Sequence, residues 1–286
     1  MDVGLFHILP VVSPETTRSA DRARGQWGQS ALCPYRPNAL ARKGKGRSDP
    51  TQIPLWPYNA PMALTRIKIC GVRDAGIARV AADAGADAIG LVFVAGTPRQ
   101  VSIEQAEKIV AALPAFVEPV GLFVDQAIDS IRETSRAVGL STVQLHGRES
   151  PGVAAQLAPL RVIKAVPFDR DVCASLARWR GAADNLAAIL LDTPQAAGGD
   201  GGGLPGGGGR PFNWSEAARL KTAGGIVMGD RIILAGGLTP DNVSAAIKQV
   251  RPYAVDVSSG VESSRGVKDP DRIAAFCNAV RRADGE

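Results

Sequence analysis

The chain has 286 residues, of which 45% are hydrophobic and 21% charged, and it carries a formal net charge of +5. This composition can build a sizeable core and excludes a wholly disordered chain. An aromatic content of only 5% argues against a base-stacking platform for nucleic acid. The sequence contains no run of about 18 apolar residues, so we predict no membrane-spanning helix.

The first residues and the cysteines indicate where the protein works. The apolar start carries Asp2 where a secretory signal would carry Lys or Arg, and no small-residue cleavage site follows. The four cysteines form no CxxC pair, so neither a disulfide framework nor a zinc site fits. We therefore expect the protein to be located in the reducing cytoplasm. His7 and His146 are the only histidines, which leaves little material for a histidine-built metal centre.

Residues 1–63 differ in composition from the remainder. They hold eight prolines up to Pro61 and a basic run over 42–47, without sustained periodicity. We therefore predict a disordered, Pro-rich basic extension before a folded domain over 64–286. Eight Lys and Arg against four Asp and Glu give this extension 8 − 4 = +4 of the net charge, so the remainder is nearly neutral. A mis-called start with Met62 as the true one, a functional basic arm and a transit segment all remain open.

From residue 64 onward, short β-branched runs alternate with Ala-rich amphipathic stretches. The predicted strands are Arg66–Cys70, Ala88–Phe93, Pro119–Val124, Thr142–Leu145, Val162–Val166, Ala187–Leu191, Arg231–Ala235 and Ala254–Val257. The predicted helices cover 74–84, 103–113, 127–138, 151–158, 170–180, 214–222, 240–249 and 270–282. Ser102 with Gln105, Thr239 with Pro240, and Asp269 with Pro270 are predicted to begin helices.

Strict alternation of eight strands and eight helices predicts an α/β fold, a single (β/α)8 TIM barrel. A doubly wound open sheet is the alternative. That fold would carry its glycine-rich turn after the first strand, whereas the glycine turns here follow the seventh and eighth. Because the active sites of such barrels lie at the carboxyl ends of the strands, we take the residues that follow each strand as site candidates.

Two glycine loops predict a phosphate site. Gly236 and Gly237 follow the seventh strand, and Ser259 and Gly260 follow the eighth. Glycine allows the backbone to approach a ligand closely, and backbone N–H groups near a helix N-terminus bind anions. Barrels often bind phosphate at these two loops. The structural alternative is that these glycines only close tight turns.

Cys70 and Asp192 end the first and sixth strands and are the candidates for proton transfer. A cysteine acts as a general base only as a thiolate, and an aspartate acts as a general acid only when protonated. The alternative for Cys70 is a small buried hydrophobic residue. Arg99 is a candidate for binding a carboxylate with two hydrogen bonds, or else for a surface salt bridge. His146 is either a ligand contact or a capping residue.

The segment Gly198–Gly209 has nine glycines in twelve residues and cannot form a regular helix or strand. We interpret it as a flexible loop at the active site after the sixth strand. A low-complexity linker without function is the alternative.

With these residues assembled, the chain resembles the phosphoribosylanthranilate isomerase family of tryptophan biosynthesis. The resemblance covers about residues 64–282. It rests on a series of motifs in order: Lys68-Ile69-Cys70-Gly71, Pro98-Arg99-Gln100-Val101-Ser102, Gln144-Leu145-His146-Gly147, Leu190-Leu191-Asp192, 235–243, 255–262 and 266–270.

The resemblance implies an Amadori rearrangement of N-(5-phosphoribosyl)anthranilate to 1-(2-carboxyphenylamino)-1-deoxyribulose 5-phosphate. It implies that Asp192 is the general acid that opens the furanose ring and that Cys70 is the general base that removes the C2 proton. Arg99 would hold the anthranilate carboxylate, and His146 would contact the substrate. The backbone at Gly236, Gly237, Ser259 and Gly260 would hold the phosphate. This chemistry needs no metal and no other cofactor.

The loop after the sixth strand departs from the family pattern. The family usually has Gly-Gly-Thr-Gly and then Phe-Asp-Trp, whereas this chain has Gly206–Gly209 and then Phe212-Asn213-Trp214, with 198–203 as extra length. This length puts loop closure in question but not the reaction type.

Several alternatives stay open at the level of sequence. They are an indoleglycerol-phosphate synthase, an FMN-dependent oxidoreductase, a non-catalytic phosphate-sensing barrel and a nucleic-acid binder that uses the basic extension. The near-neutral barrel argues against nucleic acid as a partner. Monomer and homodimer are equally compatible with the sequence, as is a second activity on the analogous substrate of the histidine pathway.

Overall fold

The computed structural model describes residues 64–194, 212–223, 225 and 231–285. Eight strands in these residues run parallel and close into one barrel in chain order. They are β1 (Arg66–Cys70), β2 (Ala88–Val92), β3 (Glu118–Phe123), β4 (Thr142–Leu145), β5 (Arg161–Pro167), β6 (Leu186–Asp192), β7 (Ile232–Leu234) and β8 (Ala254–Val257). Hydrogen bonding between β8 and β1 closes the barrel, so the barrel prediction is confirmed and the open sheet is wrong. The predicted extension, Met62 and the Gly198–Gly209 segment lie outside the described residues.

A helix follows each strand and packs on the outside of the barrel. The helices are α1 (Ala75–Asp83), α2 (Ile103–Ala112), α3 (Ile128–Val138), α4 (Pro151–Gln156), α5 (Val172–Trp179), α6 (Trp214–Thr222), α7 (Val243–Val250) and α8 (Pro270–Gly285). Two additions after β8 are absent from the sequence prediction, a 3-10 turn and an antiparallel ribbon. The turn is Ser259–Val261, and the ribbon joins β9 (Glu262–Ser264) to β10 (Val267–Lys268). No helix in the described part of the chain is long and apolar enough to cross a membrane.

The helix starts test the predicted caps. Ser102 and Gln105 form a reciprocal capping box at α2, and α8 begins at Pro270 after Asp269, as predicted. The predicted start of α7 at Thr239-Pro240 is wrong, because the helix begins only at Val243. There the Asn242 amide accepts a hydrogen bond from the Thr239 N–H at 2.8 Å and donates one to the Gly237 carbonyl.

Alternation along the strands divides the buried residues between two layers. One face of each strand points into the barrel, where small and branched side chains pack together: Val120, Ile163, Ala165, Ala188, Leu190, Ile233, Ala235 and Ala254. The other face packs against the helices around Phe123, Trp179 and Phe276. Cys70 belongs to a third, small cluster with Val92 and Leu122. Polar residues that continue the inward face at strand ends therefore meet in one place, at the mouth of the barrel.

Candidate functional site

A pocket opens at the mouth, at the carboxyl ends of the strands. Seven of the eight predicted site residues line it: Cys70, Arg99, His146, Asp192, Gly236, Gly237 and Ser259. The eighth, Gly260, is the next residue after Ser259 in the 3-10 turn. Residues that lie up to 189 positions apart in the chain thus share one cavity, from Cys70 to Ser259.

Strand geometry explains why the two proton-transfer candidates enter the pocket. Cys70 is the last residue of β1, and Asp192 is the last residue of β6. Their neighbours Ile69 and Leu191 pack outward against the helix layer. Because side chains alternate along a strand, Cys70 and Asp192 point inward. Both are buried, with 5% and 7% of their surface exposed.

A buried ion pair lies beside the Cys70 thiol. Lys68 Nζ is 2.8 Å from Asp256 Oδ1, and both side chains are almost fully buried. Burial raises the pKa of the Cys70 thiol, and the Asp256 charge adds to this, whereas the charges of Lys68 and Lys268 lower it. Burial alone would lower the pKa of Lys68, but Asp256 and Cys70 together raise it. Lys68 therefore stays an ammonium and is the nearest stabiliser of a Cys70 thiolate.

Gly90 on β2 makes room for this arrangement. A Cβ atom at Gly90 would lie 2.7 Å from Cys70 Sγ and 3.1 Å from Lys68 Nζ. Real Cβ atoms do not approach other atoms so closely, so the thiol and the ammonium occupy the space that the missing side chain leaves.

Replacing Gly90 with alanine should therefore disturb both groups. We expect Gly90→Ala to lose about 1–3 kcal/mol of unfolding free energy through overpacking, and to lower turnover about tenfold because Sγ and Nζ must move. Gly152→Ala on α4 is the control, since its nearest contact would be an ordinary 3.7 Å. Thermal unfolding and steady-state kinetics of the two variants measure the difference. Equal behaviour would contradict the close packing around Gly90.

His146 connects the pocket carboxylate to a buried amide. Gln144 Nε2 lies 2.7 Å from His146 Nδ1, and His146 Nε2 lies 3.2 Å from Asp192 Oδ2. With the amide donating to Nδ1, the ring proton is on Nε2 and is donated to the carboxylate. Asp192 Oδ1 accepts a second hydrogen bond from the Thr193 N–H at 2.7 Å. These contacts fix the orientation of the Asp192 carboxyl group, and His146 is not a helix cap.

Arg99 is not in a surface salt bridge. Its Nε and Nη2 donate to the two carboxylate oxygens of Glu262 at 2.7 and 2.9 Å, with both side chains buried. Lys268 Nζ donates to Glu262 Oε1 at 2.9 Å. The two cations around one carboxylate leave a net positive charge at this edge of the pocket. The outer N–H groups of the guanidinium, at Nη1 and Nη2, remain for a ligand carboxylate.

This cluster predicts a pH dependence of stability. Burial alone would raise the pKa of Glu262, but Arg99, Lys268 and the Gly266 N–H lower it to about 2. A depressed carboxyl pKa contributes stability above the unfolded pKa, and this contribution is lost as the pH falls through the folded value.

We therefore expect the stability difference between wild type and Glu262→Gln to shrink by roughly 3 kcal/mol between about pH 5 and pH 2. Chemical unfolding at a series of pH values measures it. The exposed Glu107→Gln on α2 serves as control and should track wild type throughout. A constant difference for Glu262→Gln over the same pH range would contradict the assigned pairing.

The two glycine loops pack against each other. Gly236 and Gly237 both have positive φ, 78° and 64°. A Cβ at Gly236 would lie 2.2 Å from Thr193 Oγ1, and one at Gly260 only 1.8 Å from the Leu238 carbonyl oxygen. No other residue type fits at these positions without displacing the loops, so the backbone itself forms this wall of the pocket.

Sequence reasoning missed the charged partners of the predicted residues. Asp256, Glu262 and Lys268 lie within the motif segments 255–262 and 266–270, but the motifs do not indicate which side chains they contact. Alternation could have found Asp256, because Ala254 faces the barrel interior and Asp256 shares that face. The polar side chains of the pocket carry guanidinium, carboxylate, thiol, imidazole and hydroxyl groups. Within the described ranges, no group of three His, Cys, Asp or Glu could hold a metal ion.

Comparison with known proteins identifies the family. A model of N-(5'-phosphoribosyl)anthranilate (PRA) isomerase matches residues 67–279. The chain belongs to this isomerase family. The N-(5'-phosphoribosyl)anthranilate isomerase of Pseudomonas fluorescens (strain SBW25) is 46% identical over 226 residues, which cover 78% of this chain and 99% of that protein.

Solved structures of the isomerase family have the same barrel. The phosphoribosylanthranilate isomerase of Thermotoga maritima is 37% identical, with a TM-score of 0.65 over 77% of this chain and all of that one. A second structure, 36% identical with a TM-score of 0.64 and the same coverage, is a complex with reduced 1-(o-carboxyphenylamino)-1-deoxyribulose 5-phosphate. Family membership favours the isomerase over an indoleglycerol-phosphate synthase or an FMN-dependent oxidoreductase.

Proposed function

We propose that the protein catalyses the Amadori rearrangement of N-(5-phosphoribosyl)anthranilate to 1-(2-carboxyphenylamino)-1-deoxyribulose 5-phosphate, a step of tryptophan biosynthesis. The observation that carries the proposal is the meeting of Cys70 and Asp192 in one pocket, of which the two glycine loops form a wall. The reaction moves one proton to an oxygen and removes one from a carbon. It therefore needs an acid and a base around one bound molecule.

The substrate has an anionic group at each end, a phosphate and a carboxylate, and the pocket offers hydrogen-bond donors for both. The loops that carry Gly236, Gly237, Ser259 and Gly260 bind the phosphate, whose oxygens accept hydrogen bonds from their backbone N–H groups. The outer N–H groups of Arg99 bind the anthranilate carboxylate, since Glu262 already occupies the Nε side. With both ends bound, the ribose lies between the base at the end of β1 and the acid at the end of β6.

Asp192 acts first, as the general acid. It gives its proton to the furanose ring oxygen, the C1–O bond breaks, and the nitrogen lone pair forms a protonated Schiff base at C1. The hydrogen bonds from His146 Nε2 and the Thr193 N–H hold the carboxyl group in one orientation during this transfer. A fixed orientation saves the entropy of aligning the acid with the leaving oxygen.

Cys70 acts second, as the general base. Its thiolate takes the proton from C2, and the electrons of that C–H bond form the C1–C2 double bond of an enolamine, which tautomerises to the ketone. Lys68 supports the thiolate because its ammonium lies beside Sγ and is itself held by Asp256. One proton enters and one leaves, so substrate and product are isomers.

The direct test is the purified full chain with N-(5-phosphoribosyl)anthranilate, with chromatographic separation of the two isomers. Complementation of a tryptophan auxotroph that lacks this isomerase tests the same activity in cells. Growth and product formation support the proposal. A pure, folded protein that forms no product and restores no growth would favour the non-catalytic phosphate-sensing barrel instead.

We further propose that residues 64–286 are the catalytic unit and that 1–63 are dispensable. The family match begins at residue 67, and an alignment with 78% of this chain covers 99% of the relative from P. fluorescens. A chain comprising Met62–Glu286 is expected to keep its kcat and melting temperature within error of the full chain. A large loss of either would show that the first residues contribute to the working enzyme.

The same proposal covers location and assembly. All the described pocket residues come from one barrel, so a monomer or a homodimer can work without sharing the site. A reducing cytoplasm suits an enzyme whose base is a cysteine thiolate. Light scattering of the purified protein determines its oligomeric state, and cell fractionation determines its location.

A further inference from the structure

A further buried ion pair lies outside the barrel wall, away from the pocket lining. On β5, Ala165 faces the interior, so Lys164 points toward the helix layer. Lys164 Nζ is 2.7 Å from Glu149 Oε2, and only 5% and 3% of these side chains are exposed. The ammonium also lies 5.5 Å from the ring centroid of Trp179. Neither charged residue contributes to the pocket wall.

Both charges bind the backbone of a single residue, Gly147. Lys164 Nζ donates to the Gly147 carbonyl at 2.6 Å, and the Glu149 carboxylate accepts from the Gly147 N–H at 3.0 and 3.1 Å. Glu149 also accepts from the Asp125 N–H at 2.9 Å, which links the loop after β4 to the loop after β3. Gly147 directly follows His146, so the pair determines the direction of the chain at the pocket imidazole.

Close contacts around Gly147 and Asp125 also restrict the conformation of the loop after β4. A Cβ at Gly147 would lie 2.4 Å from Asp125 Oδ1, which accepts from the Arg148 N–H at 2.6 Å. Asp125 itself has a positive φ of 49°, unusual for a residue other than glycine. The His146 N–H donates to the Phe123 carbonyl at 2.9 Å. His146 is thus held on its N-terminal side by β3 and on its C-terminal side by the ion pair.

Stability alone does not account for this pair. Taking two charges out of water is costly, and replacing a buried pair by apolar residues of similar volume is often neutral or stabilising. What an apolar replacement cannot reproduce is the simultaneous hydrogen bonding of the Gly147 N–H and C=O. The consequence specific to the charges is therefore the geometry of the chain at His146.

We propose that Lys164 and Glu149 are positioning residues, which hold the loop after β4 so that His146 meets the Asp192 carboxyl group. The inference rests on the proposed function, in which Asp192 is the acid. Without the pair, His146 Nε2 would lose its fixed 3.2 Å contact with Asp192 Oδ2, and the acid would have to be aligned at every turnover.

The main test is the double variant Lys164→Met/Glu149→Met in the full chain, because it leaves neither charge unpaired. We expect a folded protein with kcat lowered about tenfold and KM unchanged, since the acid acts only in the transition state. The control is Arg161→Met at the opposite end of β5, in a half-exposed ion pair with Glu118, which should keep the wild-type kcat.

A spectroscopic readout separates positioning from mere structure. The chain has only two histidines, so the imidazole nitrogen resonances of His146 are assigned by comparison with His146→Asn. In wild type we expect one dominant tautomer with the proton on Nε2. In the double variant we expect a mixture of His146 tautomers, with the resonances of His7 unchanged.

The outcomes are distinct. A folded double variant with wild-type kcat and wild-type His146 resonances would overturn the inference. If the double variant does not fold, Glu149→Gln decides, because it keeps an acceptor and loses only the charge. Changed His146 resonances in folded Glu149→Gln support the positioning role. Unchanged resonances, or a failure of this variant to fold, would show that Lys164 and Glu149 only stabilise the fold. The resonances need no substrate, so they test the inference even if wild type proves inactive on N-(5-phosphoribosyl)anthranilate.

Discussion

Asp192→Asn is expected to lower kcat by about 10²–10⁴-fold and to leave KM nearly unchanged. Asparagine has the same shape and can still accept the hydrogen bond from the Thr193 N–H. It has no acidic proton to give to the ring oxygen, so the loss falls on ring opening and not on binding. Steady-state kinetics with N-(5-phosphoribosyl)anthranilate measure the effect, and complementation should fail.

The control for this substitution is Asp169→Asn. Asp169 lies in the loop between β5 and α5 at the same end of the barrel, where its carboxylate accepts from the Asp171 N–H. The same change of charge there should leave turnover within about twofold of wild type. If Asp192→Asn were equally active while its melting temperature matched wild type, Asp192 could not be the general acid.

The fold was accessible from the sequence because a parallel barrel repeats one pattern. In the sequence, each buried strand is a short β-branched run and each covering helix is an amphipathic stretch, so all eight units could be located. The ribbon of β9 and β10 leaves no such pattern, since strands of two or three residues carry no periodicity. The α7 start was misplaced because the Asn242 side chain holds Thr239 and Gly237 in a turn before the helix begins.

The site was accessible only in part. Strand ends and glycine turns located Cys70 and Asp192, because barrel topology brings those positions together. The partner of Arg99 could not be found this way, since Glu262 lies 163 residues further along the chain and side-chain pairing depends on the loop fold. The side to which Lys164 points depends on which face of β5 is interior. Only the folded barrel shows this, because there the neighbouring Ala165 lies in the interior cluster.

Cys70→Ser is expected to lower kcat by about 10²–10⁴-fold, the contribution of a positioned general base. The hydroxyl fills nearly the same space, but it ionises far less readily than a thiol, so almost no base is present at neutral pH. Cys173→Ser on α5 is the matched control, because it makes the same change outside the pocket lining. A Cys70→Ser enzyme with more than about a tenth of wild-type turnover would require a different base.

The pH profile tests the role of Lys68 in the same step. Since the thiolate is the active form, activity rises with pH through the pKa of Cys70. Burial raises that pKa and the Lys68 ammonium opposes the rise, so removing the ammonium raises it further. Lys68→Met should therefore move the ascending limb of kcat to higher pH, whereas the exposed Lys108→Met on α2 should not move it. An unmoved limb in folded Lys68→Met would leave the thiolate without its proposed electrostatic partner.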